Sequence, residues 1–381
     1  MVEHLLDLGE DLIAEILTHL PTRSVLVARA VCNDFRRAAT SAAFLPAHAR
    51  RRPLEILLYD RTTASHVDDY AYLDALSVSV RHPGRPVRRP LARLPATKPQ
   101  VELLGEQFCL QMTSCDGLLL LGTAVAGQYF VSNPTTRQWA ELLRLRRQHI
   151  EHGGWSPDSL HTSAYQESGF YFHEPSGEYR LLCHVTIEDG LAPAYYVFST
   201  GADEPRRLDN VKAGSIGDFF SPTGCDMITP AVLHGHLHWL RHPEAGSASE
   251  MAAFDTVDET FRRMPAPPVA IELLARLIVA DGSLMASKFR KLVVDLMPTS
   301  PLAVVSGDEE GDVVLGTRHG VAVYNVRMGT VRAVDVGPGG SMSVILTQRA
   351  LRLRESLMRH TFFETRRHPG IRLLYWRYCS C

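Results

Sequence analysis

Lysine is nearly missing from this chain: Lys98, Lys212, Lys288 and Lys291 are its only ammonium groups, and the rest of its 40 basic residues are arginine. With alanine abundant, we read that bias as codon usage and build no function on it. A dominant charge sign is missing too, with 42 acidic residues against those 40 and a net charge of −2. Such a balance argues against a dedicated nucleic-acid binder, although local basic patches stay open. No stretch approaches the roughly 18 uncharged apolar residues of a membrane helix. Residues 1–7 show no basic region ahead of an apolar run, so no secretory leader is expected. Val2 is not the glycine of a myristoylation site, and the ending Tyr378-Cys379-Ser380-Cys381 has no cysteine four from the end for prenylation. Seven dispersed cysteines without a Cys-x-x-Cys pair suit reduced thiols. Together these absences predict an intracellular protein, cytoplasmic or nuclear, with no nucleic-acid or membrane partner.

What is present is enough for a real core. The chain is 45% hydrophobic over 381 residues, which allows one large domain or one plus a small module. Two unlike regions follow one another. Leu8, Leu12, Ile13, Ile16, Leu17 and Leu20 recur at helical spacing until Pro21 stops them. Val25, Leu26, Ala28, Ala30 and Val31 mark a second helix, with Thr22 or Ser24 as its cap. Phe35, Ala38 and Ala39 mark a third, ahead of Phe44-Leu45-Pro46. The first helix is apolar over about half its circumference. One side can pack on the other helices. A module of about 40 residues rarely sustains a core of its own, so the remainder covers either this protein's larger domain or a partner.

The run Leu8-Gly9-Glu10-Asp11-Leu12-Ile13-Ala14-Glu15-Ile16-Leu17-Thr18-His19-Leu20-Pro21 is followed by Val31-Cys32-Asn33-Asp34-Phe35-Arg36 and Phe44-Leu45. In residue types and spacing it resembles an F-box. Gly9 stands where that family has proline, and Phe35 where it usually has tryptophan. The resemblance implies a module over 5–46 that binds a Skp-family adaptor, and through it a cullin. It also implies that Leu8, Leu12, Ile16, Leu17, Leu20, Pro21, Val31, Cys32 and Phe35 carry that contact or the packing beneath it.

After a basic linker at 47–53, short β-type runs fill residues 54–365. Among them are 54–59, 117–121, 129–131, 169–172, 179–182, 195–198, 237–240, 251–254, 292–294, 312–315 and 321–324. A strand, a polar turn and a return recur four times. The copies are Val131-Ser132-Asn133-Pro134-Thr135-Thr136-Arg137-Gln138-Trp139, Phe172 to Tyr179, Phe254 to Arg262 and Tyr324 to Arg332. Asn and Asp fit such turns because they bond their own backbone. Irregular recurrence at about 40–70 residues points to propeller blades, whose ring closure protects strand edges. The residues Ser114 to Leu120, Asn133 to Arg137, Pro230 to Trp239, Phe254-Asp255 and Arg354-Glu355-Ser356-Leu357 resemble the plant F-box-associated domain of the kelch-like propeller group. The fold expected is a small all-α helical module followed by an all-β propeller-like domain, with an atypical tail at 366–381.

Candidate chemistry is sparse. His234, His236 and His238 alternate along one strand and could offer three imidazoles to zinc, or simply pack beside Trp239. Asp116 before Gly117 reads first as a turn. There is no phosphate loop, Gly-x-Ser-x-Gly elbow or His-Glu-x-x-His helix. We therefore expect no catalytic residue, no metal and no cofactor. The basic, proline-rich run from Arg81 to Arg93 reads as a solvated loop, or as a grip for an acidic or phosphorylated partner. The reading is a substrate receptor of a cullin ubiquitin ligase whose protein target the sequence does not name. A propeller scaffold or a carbohydrate-binding adaptor outside the ligase are its rivals.

Overall fold

The computed structural model describes residues 9–52, 55–60, 70–77, 87–95, 110–123, 128–142, 165–185, 194–208, 230–240, 250–266, 277–280, 283–286, 303–305, 312–317, 320–325, 327–334, 344–345 and 352–365. Leu8, the run 292–294 and the tail 366–381 lie outside them.

Among the described residues four helices come first: α1 (Glu10–His19), α2 (Thr22–Val31), α3 (Asn33–Ala38) and α4 (Phe44–Arg51). Sequence spacing predicts three. The stretch expected as a linker is instead the second half of α4, which buries His48 beside Phe44, rings stacked at 5.3 Å. Nor does Thr22 cap α2. The Pro21 carbonyl receives the Val25 amide, and the Thr22 hydroxyl donates to Glu355, far along the chain. Ile13, Leu17, Val25, Ala38, Ala39 and Phe44 form the module's core, and Leu357 completes it.

Among the described residues, the regular structure that follows is antiparallel sheet until a short last helix. Consecutive strands pair in six sheets among the described residues. The second sheet (Leu110–Cys115, Leu118–Thr123, Gln128–Asn133, Gln138–Leu142) and the third (Tyr165–His173, Glu178–Val185, Ala194–Ser199, Arg206–Arg207) are four-stranded meanders. So are the fourth, from Ala231–Leu233 to Phe261–Pro265, and the sixth, from Ala303–Val305 to Thr330–Val334. Two strands, Leu277–Ala280 and Ser283–Ala286, make the fifth. In the first sheet, Glu55–Asp60 pairs with Tyr70–Ser77, which pairs with Val87–Pro95. The free side of Glu55–Asp60 takes two late strands, Val344–Ile345 and Arg352–Leu353.

The cores lie between neighbouring sheets, which makes the arrangement propeller-like. Successive side chains of a strand point to opposite faces. Leu118 and Leu120 accordingly pack toward the third sheet, while Leu119 and Leu121 pack toward the first. In the third sheet, Leu181, Tyr196 and Phe198 face the second, while Leu182, Tyr195 and Val197 face the fourth. Both faces are dry, so these strands read as unbroken apolar runs.

The four repeat turns share one geometry. Asn133, Asp255 and Asn325 each accept, on the side-chain oxygen, the amides two and three residues on, at 2.8 to 3.1 Å. His173 takes the corresponding place with its ring, receiving the Ser176 amide. Four residues past each anchor the backbone is left-handed: Arg137, Gly177, Glu259 and Gly329 have φ of 58°, 68°, 52° and 64°. The repeat is local rather than positional. Three copies join the third and fourth strands of a sheet, whereas the Phe172 copy joins the first and second.

The basic run is corrected in part. Residues 87–95 are the edge strand of the first sheet, where Pro90 and Pro95 are tolerated because an edge leaves amides unused. Leu91 is the extra residue of a bulge and is buried. Arg89 donates to Glu55 at 2.5 Å and to Glu355 at 3.2 Å.

Beyond the closing strand Arg352–Leu353, residues 354–361 run as an extended strap into α5 (Phe362–Thr365). The strap passes over Gly117, where a Cβ would overlap Ser356 and stand 2.6 Å from the Arg354 carbonyl oxygen. The Asn133 amide donates to the Ser356 carbonyl at 3.1 Å. His360 meets Tyr179 edge-on, and Phe362 and Phe363 enter the core between the second and third sheets.

Two outcomes follow from the strap. Gly117→Ala should lower stability by about 3 kcal/mol or more, since both backbone and overlap oppose it. Gly329→Ala, whose Cβ meets nothing within 4 Å, should lose only about 1 kcal/mol. Denaturant titration of both variants checks the ordering. Burial pushes His360 and His184 down to about 4, so the folded state holds them neutral. Their contribution is intact above the ordinary imidazole value near 6.5 and is lost as pH falls from there toward 4. Denaturation midpoints at pH 7 and pH 5 should differ, and less so in His360→Phe.

Candidate functional site

The first two helices carry apolar side chains on both their inner and outer surfaces. On α1, Ile13 and Leu17 point inward, while Leu12 and Ile16, also four apart, are 49% and 42% exposed. On α2, Val25 is buried, while Leu26, Val27 and Val31 are 38%, 60% and 62% exposed. Of the eight large exposed hydrophobics among the described residues, these five lie on two adjacent helices. The own-domain docking considered from sequence takes up the inner stripe, through Leu357, and leaves the outer one in water. An apolar set of this kind is what interfaces cover, at about 25 cal/mol per Å².

Charges stand beside the stripes. Arg37 reaches Glu10 at 3.2 Å and Asp34 at 2.9 Å. Glu15 pairs with His19 at 3.0 Å and Arg51 at 3.2 Å, and His19 first, then Arg51, holds the Glu15 carboxyl below its usual range. Exposed pairs like these contribute little to stability, and they form a polar margin to the apolar surface.

The residues expected at the site separate into three groups. Leu12, Ile16, Pro21 and Val31 are exposed. Leu17, Leu20 and Phe35 belong to the module's core cluster. Cys32 is a cap: its thiol accepts the Phe35 amide at 3.4 Å and starts α3. Gly9 caps α1 through its carbonyl, which accepts the Leu12 and Ile13 amides at 3.0 and 3.2 Å. A Cβ at Gly9 would meet nothing, and its φ of −57° suits any residue, so glycine is not required there. Leu26 and Val27 were missed. The Val27–Val31 spacing of four was the available signal, hidden by a helix that is mostly small or apolar.

His234 does not share a strand face with His236 and His238. It forms, with Gly235, a two-residue turn in which both φ are positive, at 49° and 71°. His236 instead pairs with Asp255 at 3.2 Å, and His238 is buried. Asp116-Gly117 is a second turn of that kind, with φ of 49° and 82°. Both fit the tight hairpin type in which glycine takes the second place.

A helical module seated on a propeller-like domain leaves an apolar face open. Residues 5–46, which include most of these helices, match the F-box domain family. F-box domains bind Skp-family adaptors and, through them, cullins. No curated protein matches the chain. Among solved structures, the Dos1 propeller is 10% identical, covering 71% of this chain and 67% of its own at a TM-score of 0.33. A nidogen/laminin complex is 9% identical over 80% of this chain and 99% of the other, with a TM-score of 0.28. A putative 6-phosphogluconolactonase of Bacteroides fragilis is 9% identical over 74% and 94%, at 0.21. Likeness at these scores carries no argument; the propeller-like description rests on this chain's own strand pairing.

Side-chain placement predicts a split between two neighbours on α1. Leu17→Ala should destabilise the module by about 2–5 kcal/mol because it opens a cavity, whereas Leu12→Ala should stay within about 0.5 kcal/mol. Helical circular dichroism followed through thermal unfolding distinguishes them.

Proposed function

We propose that this chain is the substrate-receptor subunit of an SCF-type cullin ubiquitin ligase. The observation that carries the reading is the outward apolar set on α1 and α2, within a segment that matches the F-box. In this reading Leu12, Ile16, Pro21 and Val31, with Leu26 and Val27, meet the adaptor, and Leu8 joins them. Leu17, Leu20, Cys32 and Phe35 hold the helices in place beneath. The propeller-like domain, 54–365 in this division of the chain, binds a protein target, and its type is that of the plant F-box-associated, kelch-like group. Ubiquitin chemistry belongs to other subunits; this chain supplies proximity, which raises the effective concentration of target lysines. Such a subunit works in the cytoplasm or nucleus.

Co-purification with a Skp-family adaptor tests the proposal. The intact chain should capture the adaptor, and Leu12→Asp and Val31→Asp should lose capture while unfolding at the wild-type temperature. A charge forced into an apolar interface without a partner costs several kcal/mol. Leu17→Asp is no clean control, because it places that charge in the module's own core. A folded Leu12→Asp chain that still captures adaptor as the wild type does would overturn the assignment.

A further inference from the structure

Where the helical module meets the sheets there is a cavity of about 670 Å³, within the range of small-molecule sites. Four separate parts of the chain wall it: α2, the edge strand of the first sheet, the 134–138 turn of the second sheet, and the strap with α5. Its lining is cationic. Arg23, Arg29, Arg89, Arg137 and Arg359 face it, against Glu355 and Glu364.

Some of that charge is already matched. Arg89 is held by Glu55 and Glu355, and Glu355 also receives the Thr22 hydroxyl. The remaining four guanidinium groups face one carboxylate, Glu364. Arg29 is only 8% exposed; one of its terminal nitrogens donates to the Ala39 carbonyl, and its Nε has no partner. Burial, then the neighbouring Arg359, holds the Arg29 guanidinium below its usual value, so two like charges are kept close in a half-closed space. The Thr135 hydroxyl, in the same lining, is also buried without a partner. Uncompensated cations of this kind are costly unless an anion joins them.

We propose that this cavity is a binding site for a small phosphorylated molecule, held by Arg23, Arg29, Arg137 and Arg359 with the Thr135 hydroxyl. A phosphate monoester brings close to two negative charges and three acceptor oxygens, which suit planar guanidinium forks better than a single carboxylate does. Because Arg23 and Arg29 belong to the helical module, Arg137 to the second sheet and Arg359 to the strap, the ligand fastens the three together. This goes beyond adaptor capture and does not depend on it.

The test is thermal unfolding of the full chain, without adaptor, in inorganic pyrophosphate, with sulfate, citrate and chloride at matched ionic strength. Pyrophosphate should raise the midpoint saturably by about 2 °C or more. The shift should vanish in Arg359→Gln and in Arg23→Gln, both at exposed positions whose loss leaves the unliganded midpoint near wild type. Equal shifts with sulfate or citrate would overturn the site, as would a pyrophosphate shift retained in both variants. So would a response confined to a phosphoserine peptide.

Discussion

The fold depends on a dozen residues near the end of the chain. Arg352–Leu353 supplies the closing strand of the first sheet, and the strap beyond it lies against Gly117 and Asn133 of the second. It then sends Leu357 into the helical core, His360 onto Tyr179, and Phe362 and Phe363 between the second and third sheets. One segment thus links the helical module and three sheets. Its contacts are local in space and long-range in sequence, so each carries a loop-closure cost that the buried side chains must offset. Glycine at 117 and asparagine at 133 serve their own turns and this segment as well.

Much of the architecture was legible in the residues. The spacing of Leu12, Ile13, Ile16 and Leu17 marked a helix, and a module too small for that much apolar surface marked an excess, part of which the structure leaves exposed. Runs such as Leu118-Leu119-Leu120-Leu121 marked strands, and the structure shows why they do not alternate: both faces are buried. The turn chemistry of Asn133, Asp255 and Asn325 was equally readable, because it acts within three residues of the anchor.

What was not legible depends on contacts remote in sequence. Nothing local tells that Thr22 will serve Glu355 instead of capping its helix, or that Leu17 will share a core with Leu357. The described part of the basic run, 87–95, misled because proline and arginine read as loop, whereas an edge strand tolerates the one and Glu55 and Glu355 pair with Arg89. Residues 47–51 misled in the same way: their arginines read as linker, while His48 quietly buried itself. The division of the expected site into exposed Leu12 and buried Leu17 also needed coordinates. Both are apolar and both lie on α1; only the neighbouring chain decides which is covered.

Leu357 in the helical core has a consequence for how the protein is made. A ribosome emits the helical module first, yet the side chain that completes its core leaves the tunnel more than 300 residues later. Until then Ile13, Leu17, Val25, Ala38, Ala39 and Phe44 must pack without that side chain. A message cut short before the strap would yield a chain whose helical core lacks Leu357. The order of synthesis thereby leaves the helical core one side chain short until the strap has been made.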